Sequence, residues 1–179
     1  MKILQNSIYK GGNLMIPLED CPQHLLVEMM TDMLNTLIKH NDQIPLHSQQ
    51  LTRFHSKQPP NITVLDYFVR ICKYASIENP SLVCLLVYID KLCERNRLFT
   101  ISSLTIHRFV ITALTISSKS VCDLYCTNSL YAKVGGLNLQ ELNTLELDFM
   151  FMMDWRVATS ESQLNLYYSN LWNRYHHEK

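Results

Sequence analysis

A chain of 179 residues is long enough for one domain with a full core and too short for two. Its 16 basic residues balance 16 acidic ones, so no electrostatic footprint for nucleic acid or an anionic membrane is visible. Only 4 residues are glycine, which disfavours a turn-rich all-β architecture.

The segment Met1–Gly12 lacks the apolar stretch of a secretory signal. With weak periodicity and Gly11-Gly12, residues 1–21 are expected to form a loosely ordered, flexible arm. Pro22 then opens a helix. Leu25, Leu26, Met29, Met30, Met33, Leu34, Leu37 and Ile38 recur at three/four spacing as one apolar stripe, ending near His40 and Asn41. Residues 41–60 hold three prolines and many polar side chains, and read as a linker, so 22–60 form an N-terminal helix and its connection.

From Asn61 the pattern is continuously helical. Asn61 is the expected N-cap of a helix carrying Val64, Leu65, Phe68, Val69 and Cys72. Asn79-Pro80 starts the next, with proline in the favoured first turn. Its stretch Leu82–Cys93 is apolar almost all round, which predicts deep packing. The longest apolar run, Leu82–Val87, is far short of the roughly 20 residues of a membrane span.

Ser102 or Ser103 is the expected cap of a third helix, reaching Ser120. Thr127 caps a short fourth, which Gly135-Gly136 ends. Asn138 opens a fifth through Met153, with Leu142, Leu145, Phe149 and Met152 on one stripe. Ser160 begins a last helix bearing Leu164, Tyr167, Tyr168, Leu171 and Trp172. No strand pattern and no internal repeat competes with this all-α reading.

Four of the six cysteines sit on apolar helical faces, where a free thiol behaves as a small hydrophobe. Free thiols predict a reducing, intracellular setting. Cys122 and Cys126 lack the two further ligands of a zinc site, so no metal and no cofactor is expected. The chain also holds no HExxH, paired-Asp motif, nucleophile elbow or phosphate-cradling glycine loop, which disfavours an all-α enzyme.

Specific motifs go beyond fold class. Tyr88-Ile89-Asp90-Lys91-Leu92 resembles the YIDRL-type motif on the second helix of cyclin boxes. Leu65-Asp66-Tyr67-Phe68 resembles their VDWL-like stretch. Ser103–Phe109 is similar to the SLTAHRF signature of P/U-type, phosphate-signalling cyclins. Asn128 with Tyr131–Gly136 matches their N-x-x-YAKVGG signature, and Glu141–Glu146 an ELNxLE pattern. The resemblance covers 61–157. It implies a five-helix cyclin box there, with an extra N-terminal and an extra C-terminal helix (158–179).

The resemblance implies a regulatory subunit that forms a heterodimer with a cyclin-dependent Ser/Thr kinase and packs on its αC helix, without binding nucleic acid or membrane. The implied contacts are Lys119 and Glu146, matching the family's Lys and Glu pair, Asp123 toward the kinase activation segment, and the apolar Met150, Trp155 and Val157. Taken alone, Lys119 equally suits a cation at a helix C-terminus, Glu146 a solvated face, Asp123 a turn, and the apolar trio a core. His107 and Arg108 are expected to bond between helices. At the place of the substrate-reading MRAIL stretch of cell-cycle cyclins the chain reads Pro60–Val64, so docking of that kind is not expected. A cyclin-fold adaptor for protein or DNA is the alternative, and the absence of basic clusters argues against its DNA-binding form.

Overall fold

The computed structural model describes residues 15–46 and 51–177. Seven helices and no strand occur among the described residues: α1 (Gln23–Asn41), α2 (Val64–Tyr74), α3 (Asn79–Arg95), α4 (Ile106–Val121), α5 (Asn128–Gly135), α6 (Leu139–Met152) and α7 (Glu161–His177).

The centre is the α3–α4 pair. Ser81–Asp90 of α3 and Phe109–Ser118 of α4 are buried without interruption. Around this pair, α6 and α5 pack on α4, and α7 packs on α3. The α1 helix lies against both α2 and α7, so the first and last helices close one side together. Three buried hydroxyls of α4, those of Thr112, Thr115 and Ser117, are satisfied within the helix. Thr112 donates to the Arg108 carbonyl at 2.7 Å and Thr115 to that of Ile111 at 2.8 Å. These short side chains place little bulk between helices and leave no backbone group unpaired for it.

Two caps differ from expectation. Thr63, not Asn61, starts α2. Its hydroxyl accepts from the Asp66 N–H at 3.0 Å and donates to the Asp66 carboxylate at 2.7 Å. That reciprocal pair needs an acidic residue three positions on, which Thr63 has and Asn61 lacks. The α4 helix begins at Ile106, after a turn in which the Thr105 hydroxyl accepts from Ser102 N–H and donates to the Thr100 carbonyl. Ser102 and Ser103 therefore build the lead-in turn and cap nothing. Thr127 and Asn138 do cap, accepting from Leu130 N–H and Glu141 N–H.

Most of the expected flexible arm, residues 1–14, lies outside the described residues. Residues 15–21 are tied down: Leu18 and Cys21 are buried, Asn79 donates to both their carbonyls, and Tyr168 donates to that of Ile16. The segment between α1 and α2 also reaches the core. Phe54 is fully buried, with ring centroids 5.7, 6.3 and 6.4 Å from Phe99, Phe109 and Phe149.

Candidate functional site

Where α4 ends and α6 passes beside it, the Lys119 ammonium donates to a Glu146 carboxylate oxygen at 2.6 Å. The other Glu146 oxygen accepts from the Asn128 amide at 2.7 Å. Asn128 is the first residue of α5, so the carboxylate lies at that helix's positive end. Both charged side chains remain partly open, at 31% and 20% exposure. An ammonium has three donors and a carboxylate about four acceptor sites, so each keeps capacity toward a partner.

The pair forms one end of a groove of about 590 Å³. Its walls are mainly apolar, Ile116 from α4, Leu147 and Met150 from α6, and Trp155 and Val157 beyond α6, with Ser120 and Asn143 also lining it. Trp155 is 57% exposed and stands edge-on to Phe151, itself 64% exposed. The chain reaches this position by an abrupt reversal after α6. Asp154 and Trp155 both adopt left-handed backbone, at φ 51° and 59°. The Trp155 N–H bonds the Met150 carbonyl at 2.9 Å, closing the turn.

The YIDKL segment of α3 anchors the chain beyond this turn. Tyr88 donates to the Val157 carbonyl and Lys91 to that of Ala158, both at 3.0 Å. Asp90, buried on the same helix, accepts from Tyr167 of α7 at 2.8 Å.

Five of the six residues singled out in the sequence thus line one groove: Lys119, Glu146, Met150, Trp155 and Val157. Asp123 does not line it. It is exposed in the segment between α4 and α5, beside Leu124 at 84% and Tyr125 at 58% exposure. Sequence reasoning missed Ile116, Ser120, Asn143 and Leu147, which line the groove as well. A signal for Leu147 was present: it stands four before the exposed Phe151 on α6, off the stripe that faces the core. A helix with apolar residues on two faces has two things to pack against.

His107 and Arg108 bond between elements, in keeping with their motif. His107 bonds the Ile62 carbonyl at 2.9 Å and meets the Tyr67 ring edge-on. Arg108 pairs with Glu141 and donates to the Arg53 carbonyl. Burial pushes the thiols of Cys72, Cys84 and Cys93 up to about 11, which makes them poor nucleophiles at neutral pH. All six cysteines are free. Among the described residues no cluster of His, Cys, Asp or Glu is arranged to hold a metal, and no helix is long and apolar enough to cross a membrane. The groove offers hydrogen bonds and apolar walls.

A family model described as Cyclin matches residues 24–157. The chain belongs to the cyclin family. Within it, this cyclin is similar to the Nuc-1 negative regulatory protein preg of Neurospora crassa, 44% identical over 86% of this chain and 32% of that protein. It is 41% identical to the PHO85 cyclin PHO80 of Saccharomyces cerevisiae, over 82% of this chain and 51% of that one. It is 34% identical to Cyclin-U4-1 of Arabidopsis thaliana, over 82% of this chain and 74% of that one. The chain therefore spans a third to a half of the first two relatives, and most of the plant cyclin. The match begins within α1, so the family pattern takes in the helix ahead of α2 as well as the five from α2 to α6.

Proposed function

We propose that this cyclin is the regulatory subunit of a cyclin-dependent Ser/Thr kinase of the PHO85 kind. It acts as a heterodimer with that kinase, inside the cell, and supplies no catalysis of its own. The observation that carries this reading is the groove: an apolar trough closed at one end by the Lys119–Glu146 pair. Such a trough suits one face of a partner helix, with the charged pair reaching backbone groups at the helix end. The αC helix of a kinase is the element whose placement governs the pairing of its catalytic lysine and glutamate. Met150, Trp155 and Val157 are the proposed apolar contacts on it. Asp123, with the exposed Leu124 and Tyr125 beside it, is proposed to face the activation segment. Residues 61–157 are proposed as the box that makes these contacts, with 22–60 and 158–179 buttressing it.

The mechanism is a population shift. A kinase that rests mostly with αC displaced is drawn to the active arrangement only by differential affinity. Moving such an equilibrium from 1:99 to 99:1 takes about 5.5 kcal/mol. A few buried large side chains and one desolvated charged pair are enough to supply it.

The test is co-purification with the cell's cyclin-dependent kinases, followed by a kinase assay on the complex. The full chain should recover one kinase and raise its activity, while the Lys119→Ala, Glu146→Ala double variant folds but does neither. Full activity from that double variant sinks the site. Binding without activation sinks the proposed function in favour of an adaptor.

A further inference from the structure

We infer that Asn128 is a positioning residue for the partner contact made by Glu146. This rests on the kinase-binding reading of the groove and adds to it a third member of the charged pair.

The geometry is specific. The Asn128 amide has two N–H donors. One goes to the Glu146 carboxylate at 2.7 Å and the other to the Asn143 side-chain carbonyl at 2.8 Å. Asn143 stands three positions before Glu146 on α6, on the same face. The amide therefore bridges two rungs of α6 from outside that helix. Lys119 reaches the other Glu146 oxygen from α4. The carboxylate is thus gripped at both oxygens, by donors on two different helices. A glutamate has three rotatable bonds, and leaving them free costs entropy when a partner orders them. With one oxygen held by Lys119 alone, the carboxylate swivels about that contact. With both held, its plane is fixed and its spare lone pairs point in set directions.

Nothing else explains an asparagine here. The cap of α5 is Thr127, whose hydroxyl takes the Leu130 N–H. Asn128 follows as the first helical residue, a position that many side chains fill. Its side chain makes no bond within its own helix and spends both donors on α6.

The experiment measures affinity of the full chain for its cyclin-dependent kinase by calorimetry, with melting by circular dichroism alongside. Asn128→Asp is the informative variant, because aspartate in a first turn favours the helix and keeps α5 in place. It removes both donors and sets a carboxylate against Glu146. The expected result is an unchanged helical spectrum with affinity reduced by roughly ten- to a hundredfold, the value of a hydrogen bond to a charged group. Asn128→Ala should weaken binding in the same direction. The double variant Asn128→Ala, Glu146→Ala should bind no more weakly than Glu146→Ala alone, since Asn128 acts through that carboxylate. Three results overturn the inference. If Asn128→Asp binds like wild type while Glu146→Ala does not, only the positioning role fails. If the two substitutions weaken binding additively, Asn128 acts elsewhere. If Glu146→Ala itself leaves affinity intact, the groove reading falls and this inference with it.

Discussion

The hydroxyl of Tyr88, at the centre of the buried α3 helix, holds the carbonyl of Val157 at 3.0 Å. One bond thus links the deepest part of the core to the rim of the groove. The Tyr88 side chain is fully buried and packs edge-on to Phe149, so its position is set by the core and the rim follows it. Tyr88→Phe keeps the ring and deletes the bond. The Val157 carbonyl then loses a partner at a half-buried site, which costs about 1–2 kcal/mol. Urea denaturation should show a loss of that size. Kinase affinity should fall as well, because Val157 and Trp155 lose their fixed backbone. An unchanged affinity would mean the rim is held by Lys91 and packing alone.

Gly135 and Gly136 do different jobs. A methyl group on Gly135 would sit 2.6 Å from Cγ1 of Ile111, a buried residue of α4. The glycine lets α5 approach α4, and Tyr67 of α2 then bonds its carbonyl at 3.0 Å. Gly136 instead supplies the left-handed cap, at φ 74°. Gly135→Ala should cost about 1–3 kcal/mol by overpacking. Ile111→Ala removes the obstructing atoms. In a thermal-melt cycle the double variant should be more stable than the sum of the two single losses predicts. Strict additivity would place the cost of Gly135→Ala in its own helix.

Lys119 and Glu146 bond to each other in the free chain, so their structural and binding roles need separating. A partly exposed pair contributes about 0–1 kcal/mol to stability. Breaking a charge-assisted contact at an interface costs about 2–5 kcal/mol. Exchanging the two residues, Lys119→Glu with Glu146→Lys, keeps a pair across the same gap. The swap loses the Asn128 bond and reverses the charge at two helix ends, so the chain should fold with a lowered melting temperature and fail to bind the kinase. If it binds as well as wild type, the pair only joins α4 to α6.

Stability should fall on mild acidification through His107. Burial holds its pKa below the ordinary 6.5; the bond to the Ile62 carbonyl opposes that shift and nearby Arg70 reinforces it. The neutral ring is the folded form, so between the folded and unfolded values the unfolded chain binds more protons. This contribution is complete above about pH 6.5 and drains away as pH falls below it, toward the lower folded value. The urea midpoint of wild type should drop between about pH 7 and pH 5, and that of His107→Gln should drop less. Equal slopes would assign the acid sensitivity to other groups, such as His55, whose pKa burial also lowers.

The helices were legible because their signals are local. Thr127, Asn138 and Gly136 act within one turn of themselves, and the stripe Leu142–Leu145–Phe149 repeats within one helix. The all-α fold and the cyclin motifs are carried by such runs. What stayed hidden depends on distant partners. Phe54 sits in a proline-bearing, polar stretch with no periodicity, and only Phe99, Phe109 and Phe149 give it a place. Asn61 is the expected cap of α2, and Thr63 takes that place because of its reciprocal bond to Asp66. In the site, the resemblance to the cyclin motifs marked Lys119 and Glu146, but nothing in the spacing put Asn128 between them. That contact exists because α5 starts beside α6.

Trp155 permits a test that separates fold from function. Its side chain is more than half exposed, yet its backbone is held at φ 59°, a region that a bulky residue enters only at a cost. That cost is about 1–2 kcal/mol per residue. It is tolerated because the turn closes with the Trp155 N–H on the Met150 carbonyl and because Tyr88 and Lys91 seize the chain two and three residues later. Trp155→Ala loses the indole and retains the strain. Trp155→Gly loses the indole and relieves it, offset in part by the greater freedom of glycine in the unfolded chain. Trp155→Gly should therefore be more stable than Trp155→Ala, by about 1 kcal/mol in urea. Both should lose kinase affinity to the same extent, because both lack the ring that stands at the groove's edge. Were the ring only core, both variants would lose stability against wild type and the kinase would not distinguish either from it. Were the backbone bend alone what the kinase reads, Trp155→Gly would bind normally. Only a ring that contacts the partner from a strained turn gives two variants that differ in stability and bind equally poorly.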